Sequence, residues 1–305
     1  MSDEEKTYEE WLEEVKGYGL ALENMPEVMK TAELCLEAIN QNGWALEYVP
    51  QSIMNEEMCL AVVKKNKNVL KEVPEALQTE AVCLAALEQE IDYPIDTLLK
   101  FIAKAKQTAA ICQAAVKQSG FALQYMTESL VTKEICIEAI KKHVFAFQYV
   151  PESLRTLDLC LDAVKQDYRL LEFVPEEMQT EEVCLVAVTQ DSALDGNKFV
   201  GNGLQFVSKA KQTEAIFLAA VRHDGLALKY VPKAKRKEAL CLAAVGKNGW
   251  ALRHVPENLR TEKLCIIAAK NATELWEGYF RPDKEVLEFV PENLKAQVEA
   301  LFNII

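Results

Sequence analysis

Nine cysteines, three histidines and a few lysine-rich turns are the residues of this 305-residue chain best suited to chemistry. A cysteine attacks through its thiolate and needs a base beside it. A structural zinc needs paired ligands such as C-x-x-C. Cys35, Cys59, Cys83, Cys112, Cys136, Cys160, Cys184, Cys241 and Cys265 stand 24 or more residues apart, and no C-x-x-C exists. His143, His223 and His254 have no second histidine at ligand spacing, so no metal and no cofactor is expected. His254, two before Pro256, reads as a substituted aromatic, while His143 and His223 read as solvated helix-end residues. Gly196, Gly201 and Gly203 in DGNKFVGNG match neither G-x-G-x-x-G after a strand nor a P-loop. Asp191 and Asp195 lack the further oxygens of a calcium loop. With no catalytic constellation, the chain reads as a non-enzyme.

The chemistry that is left is binding. A turn that usually reads P-E-x-L becomes KAKQT at 104–108 and 209–213, then KAKRK at 233–237. Lys209, Lys211, Lys233, Lys235, Arg236 and Lys237 thereby fall at equivalent places in two consecutive segments. In an acidic chain this is a local basic patch that could take an acidic peptide or a phosphate-bearing ligand. The plainer reading is solvated lysines in turns.

The elements that position these residues are copies of one stretch, Thr31–Pro50 (TAELCLEAINQNGWALEYVP). Most cysteines follow one another at 24 residues; Trp11 precedes Cys35 by 24, and Phe217 precedes Cys241 by 24. Eleven repeats result, and a fixed period of this size marks a stacked array. Thr stands four before the cysteine slot in most copies, where its hydroxyl can accept from the first turn of a helix. Acids such as Glu33, Glu57 and Glu134 follow, suited to the positive helix end. Leu34, Cys35, Leu36, Ala38 and Ile39 are apolar over most of the girth, which predicts a helix sandwiched between neighbours. Asn42-Gly43 ends it, with glycine expected in the left-handed conformation. A second, shorter helix over WALEYV follows, and Pro50 stops it. Ala103, Thr127 and Ser208 replace that proline in three repeats. No run reads as an alternating strand.

Three repeats are long. The surplus falls near 90–96, 191–201 and 273–283, at one place in the repeat, so the insertions should share an edge. They carry Tyr93, Phe199, Trp276, Tyr279, Phe280 and Arg281. Either these loops wall a binding groove, as insertions in arrays often do, or they pad the gaps between short helices. The domain reading is an acidic leader over 1–10, one α-helical repeat domain over 11–292 and a C-terminal capping helix over 293–305.

Net charge is −13, all of it in residues 1–100, where 21 acids face 8 lysines; the remainder balances. An acidic whole argues against nucleic acid, which requires phosphate neutralisation, and against an anionic membrane. MSDEEKTYEEW is not a signal peptide, and no stretch is long and apolar enough to span a bilayer. An odd number of cysteines in one apolar helical slot predicts free buried thiols and a reducing, cytoplasmic setting.

TAELCLEAINQNGWALEYVPQSIM, TKEICIEAIKKHVFAFQYVPESLR and EALCLAAVGKNGWALRHVPENLR resemble the repeat of the family known as domain of unknown function 4116. The resemblance covers about 11–292; it implies a helical array and brings no catalytic residues. Together these readings predict an all-α fold: an α-solenoid of about eleven two-helix repeats with a C-terminal capping helix. The expected function is a non-enzymatic scaffold, acting as a monomer, that binds a protein or peptide on one face. The alternative is a nucleic-acid or phosphate-bearing ligand at the basic turns of 209–237.

Overall fold

The computed structural model describes residues 6–89, 98–190, 203–276 and 279–302, with only the backbone described for 273–276, 279–282 and 301–302. The described residues form an α-solenoid arranged as two compact bodies, Met1–Leu154 and Arg155–Ile305. The first holds α1 (Tyr8–Gly17), α2 (Ala32–Gln41), α3 (Glu56–Lys65), α4 (Glu80–Leu87), α5 (Ala109–Gln118) and α6 (Lys133–Lys142). The second holds α7 (Leu157–Gln166), α8 (Glu181–Thr189), α9 (Glu214–His223), α10 (Glu238–Lys247), α11 (Glu262–Asn271) and α12 (Glu292–Phe302). Within each body, consecutive α-helices pack on one another and on the short helices between them.

Each α-helix starts as its sequence dictates. Thr31 Oγ1 accepts the Leu34 N–H at 3.3 Å, and the same bond recurs at Thr79, Thr108, Thr132, Thr156, Thr180, Thr213 and Thr261. Thr7 and Glu10 make a full capping box, so α1 opens inside the stretch read as an acidic leader. Leu34, Cys35, Ala38 and Ile39 are all essentially inaccessible, as expected of a helix covered on both sides.

Three expectations change. The short helices are 3-10 helices: in Gly43–Tyr48, Ala45 N–H bonds to Asn42 O at 2.9 Å and Val49 N–H to Leu46 O at 3.1 Å. A three-residue turn stacks Leu46 over Val49, so both are buried before Pro50 ends the segment. Second, the helix ends on an extended residue, not a left-handed glycine; Asn248, for example, has φ −150. Asn248 Oδ1 instead accepts the Trp250 N–H at 3.0 Å and caps the next short helix. Glycine follows for lack of room: a Cβ on Gly249 would lie 2.0 Å from Ala268 O, and one on Gly120 2.2 Å from Ala139 O. Third, the last insertion holds an antiparallel pair, β1 (Thr273–Trp276) and β2 (Tyr279–Pro282), with Thr273 opposite Pro282 and Trp276 opposite Tyr279. Strands of four residues are too short for alternation to stand out against a helical period.

In several repeats the residue just before the helix cap ties consecutive short helices together. Gln78 Nε2 donates to Val73 O (3.2 Å) and to Phe101 O (2.9 Å), each at the end of a short helix. Gln107 does the same to Ile102 O (3.4 Å) and Tyr125 O (2.9 Å). The amide oxygens explain the missing prolines. Gln78 Oε1 accepts from Ala103 N–H (2.8 Å), Gln107 Oε1 from Thr127 N–H (2.7 Å) and Gln179 Oε1 from Ser208 N–H (2.8 Å). A proline at 103, 127 or 208 would have no N–H to satisfy; without it, a glutamine supplies the acceptor.

This pairing is testable. Gln107→Ala should destabilise the first body by about 1–3 kcal/mol, because it leaves the Thr127 N–H without a partner. Thr127 has φ −70 and follows Met126 at ψ 151, both compatible with proline. Thr127→Pro in the Gln107→Ala background should therefore recover part of the loss. Urea unfolding of the four proteins of this cycle measures the coupling, and strict additivity would rule it out.

Candidate functional site

The cysteines form no reactive centre. All nine are free and buried. Burial pushes the thiols of Cys35, Cys59, Cys83, Cys136, Cys160, Cys184 and Cys241 up to about 11, and raises Cys112 and Cys265 as well. Seated in the α-helix that neighbours cover, they act as small hydrophobes. Among the described residues, no group of three or more His, Cys, Asp or Glu is placed to hold a metal.

The histidines are less solvated than their positions suggest. His143 is half-buried, stacked on Phe121 at 4.9 Å, and its Nδ1 accepts the Gly120 N–H at 3.0 Å from the preceding repeat. His223 is half-buried too. His254 occupies the aromatic slot at the end of the 3-10 helix Gly249–His254, a slot that is half-buried wherever an aromatic side chain is described in it.

Around His254 the second body opens an indentation of about 910 Å³. Its charged and titratable lining is Lys233, Arg236, Arg253, His254, Glu257 and Arg260. The turn Lys233–Lys235 and the turn Glu257–Leu259 bring these residues from consecutive repeats. Residues 229–260 hold eight cations and two acids, so this stretch is strongly basic in a chain whose net charge is −13.

Arg236 and Arg260 occupy the slot that Gln78 and Gln107 fill elsewhere. Arg236 donates from Nε to Val231 O (2.8 Å), from Nη1 to His254 O (2.6 Å) and from Nη2 to Lys229 O (3.1 Å). Arg260 donates from Nε to Val255 O (3.0 Å) and from Nη1 to Phe289 O (2.8 Å). The partly buried Arg236 guanidinium has its pKa lowered by desolvation. Arg253 Nε donates to His254 Nε2 at 3.2 Å, which leaves the imidazole proton on Nδ1.

The basic turns of the sequence are thus divided. Lys233 and Arg236 line the cleft; Lys209 and Lys211 do not, with Lys209 exposed and Lys211 half-exposed. Lys235 is exposed, and Lys237 pairs with Glu214 at 3.2 Å between two exposed side chains. Arg253 and Arg260 are additions from the structure. Arg260 had a signal, since it lies one period of 24 after Arg236; Arg253 had none, because its slot is ordinarily a solvated position. Tyr93 and Phe199 lie outside the described residues. Trp276, Tyr279, Phe280 and Arg281 fall on the hairpin, where Leu275 pairs with Phe280 and Glu274 with Arg281. The base of that hairpin is closed by Asp283 N–H on Ala272 O at 2.8 Å.

Burial, then the charges of Arg253, Arg236 and Lys229, depress the pKa of His254 to about 4 from an ordinary 6.5. A depressed histidine favours the folded state in its neutral form. That contribution is whole above pH 6.5 and is lost as pH falls toward 4. His254→Phe installs the usual occupant of the slot, so its stability should fall less than the wild type's over this window in parallel urea titrations. The His254 ring protons should titrate near pH 4 by NMR; a midpoint near 6.5 would contradict the assignment.

No curated protein and no solved structure matches the chain. The model of a family described as a domain of unknown function (DUF4116) matches residues 31–78 and 111–155. Those stretches carry the cap, cysteine, short helix and closing turn described above, and the basic cleft lies outside them. The chain is thus a helical repeat array similar to that family over these residues, with the same repeat pattern continuing through the second body.

Proposed function

We propose that the chain is a non-enzymatic scaffold that binds an acidic segment of a partner protein at the cleft around His254. One observation carries this reading: four cations and one acid line a single indentation of an otherwise acidic chain. No carboxylate stands within ion-pair distance of Arg236, Arg253 or Arg260 among the described residues. Arg236 and Arg260 are held in place by backbone carbonyls, so little side-chain entropy is lost when a ligand is met. The buried, protonated cysteines support binding over catalysis, and nine free thiols support a reducing cytoplasmic setting. No helix among the described residues is long and apolar enough to cross a membrane.

Panning a peptide library against the full chain tests the reading. Acidic peptides should be enriched, and Lys233→Glu with Arg253→Glu, both at exposed positions, should weaken them by about tenfold or more. Enrichment that ignores these substitutions would place binding elsewhere. Tight capture of single-stranded oligonucleotides, with a steep salt dependence, would favour the nucleic-acid alternative instead.

A further inference from the structure

We propose that the cleft is a socket for a phosphoryl group carried by the partner segment, with Arg236 and Arg260 as the residues that receive it. This inference rests on the reading of the cleft as a partner site and specifies what the site selects.

One slot, the residue before the helix cap, carries different side chains from repeat to repeat. Gln78, Gln107 and Gln179 join the short helices through neutral amides, so the tie needs no charge. Lys30 makes the tie with a cation, donating to Tyr48 O at 3.1 Å, but Glu27 three residues earlier pairs with it at 2.9 Å. The position equivalent to Glu27 in the Arg236 repeat is Lys233. Where Lys30 is neutralised, Arg236 is given a second cation instead. Arg260 retains an acid there, Glu257, yet makes no ion pair with it. Arg155 makes the same tie from Nη1 to Phe173 O at 2.6 Å, so an arginine is admissible in this slot, but Gln78 and Gln107 show that no charge is required there. What sets Arg236 and Arg260 apart is that their charges meet in one indentation with Lys233 and Arg253.

A guanidinium has five N–H donors in a fixed fork. Arg236 uses three on carbonyls and Arg260 two, so each keeps donors while its carbonyls hold it still. His254 accepts from Arg253 at Nε2 and so presents Nδ1–H as a further neutral donor. A phosphoryl group carries about −1.5 to −2 charge and three strong acceptor oxygens. It answers a lining of four cations and one acid better than a single carboxylate does, and it matches the arginine fork bidentately. A peptide is favoured over nucleic acid because the excess charge sits at one indentation of an acidic chain, not along a track of phosphates.

The test uses the full chain and fluorescent peptides of one acidic sequence with Ser, Asp or phosphoserine at the centre. The phosphoserine peptide should bind about tenfold or more tighter than the Asp peptide, as charge-assisted bonds to a dianion imply. Arg236→Gln with Arg260→Gln copies the glutamine ties found elsewhere, so it should keep the unfolding midpoint while abolishing that preference. Should the double variant unfold, Lys233→Ala with Arg253→Ala, at exposed positions, provides the same readout. Phosphopeptide binding should also raise the His254 NMR midpoint, because an anion offsets the cations that depress it. Equal affinity for Asp and phosphoserine peptides would overturn the phosphoryl assignment and leave the partner site standing. Binding of neither would overturn both. Displacement by inorganic phosphate at the same concentration as by phosphopeptide would reduce the socket to a free-anion site. Tighter, salt-steep binding of a single-stranded oligonucleotide would overturn the peptide-borne source.

Discussion

A short helix of six residues leaves its last carbonyls unbonded within a stacked interface, and the array depends on how they are answered. Water is largely excluded there, and an orphaned carbonyl in such a place costs free energy comparable to a lost hydrogen bond. The residue before a helix cap can reach two such ends at once, Gln78 from Val73 to Phe101 and Arg236 from Val231 to His254. The tie links consecutive repeats by polar geometry, while the cysteine helices link them by apolar burial. Because a single 24-residue segment cannot offset its own ordering entropy, at about 1–2 kcal/mol of backbone per residue, links between repeats are a condition of folding. The apolar link recurs throughout, and the polar tie is added where the slot holds Gln, Arg or Lys.

This constraint also makes sense of irregularities that look like noise in the alignment of repeats. Proline closes most short helices because it offers no N–H to be left unbonded in the interface. Where Ala103, Thr127 or Ser208 stands instead, a glutamine amide serves donor and acceptor duties together. Gln212 shows that glutamine is permitted beside a proline as well, since it donates to Val207 O at 3.1 Å and precedes Pro232 in its repeat. The dependence therefore runs one way: a missing proline requires glutamine, but glutamine does not require a missing proline.

Much of the architecture was legible because it is written many times over. Thr31, Cys35, Ala38 and Pro50 recur at fixed offsets, and repetition separates packing roles from accident. The hand of the glycine was misread because Asn-Gly signals a left-handed turn in isolation, whereas here a neighbouring helix backbone, Ala268 O against Gly249, removes the space for any Cβ. That neighbour is invisible to a local reading. The same holds for the site. KAKRK is conspicuous as a run of charge, yet its exposed lysines scatter over a surface and only Lys233 and Arg236 reach the cleft. Arg253 and Arg260 join them from 17 to 24 residues further on in the sequence, through stacking that a linear charge count does not represent.

The division of labour within one side chain follows from these physics. Desolvating a cation that has no counter-ion is costly even when it is only partly buried, and Arg236 meets part of that cost with three carbonyl dipoles. Glutamine would make comparable ties with no charge to desolvate, as Gln78 does, and Lys30 shows that a cation in this slot can be neutralised from three residues upstream. Arg236 has neither remedy: Lys233 stands where the acid would be, and the neighbouring His254 is driven toward its neutral form by burial and then by the surrounding cations. Charge kept against such opposition, at a place where a neutral residue would satisfy the fold, is the physical ground for the proposed ligand site.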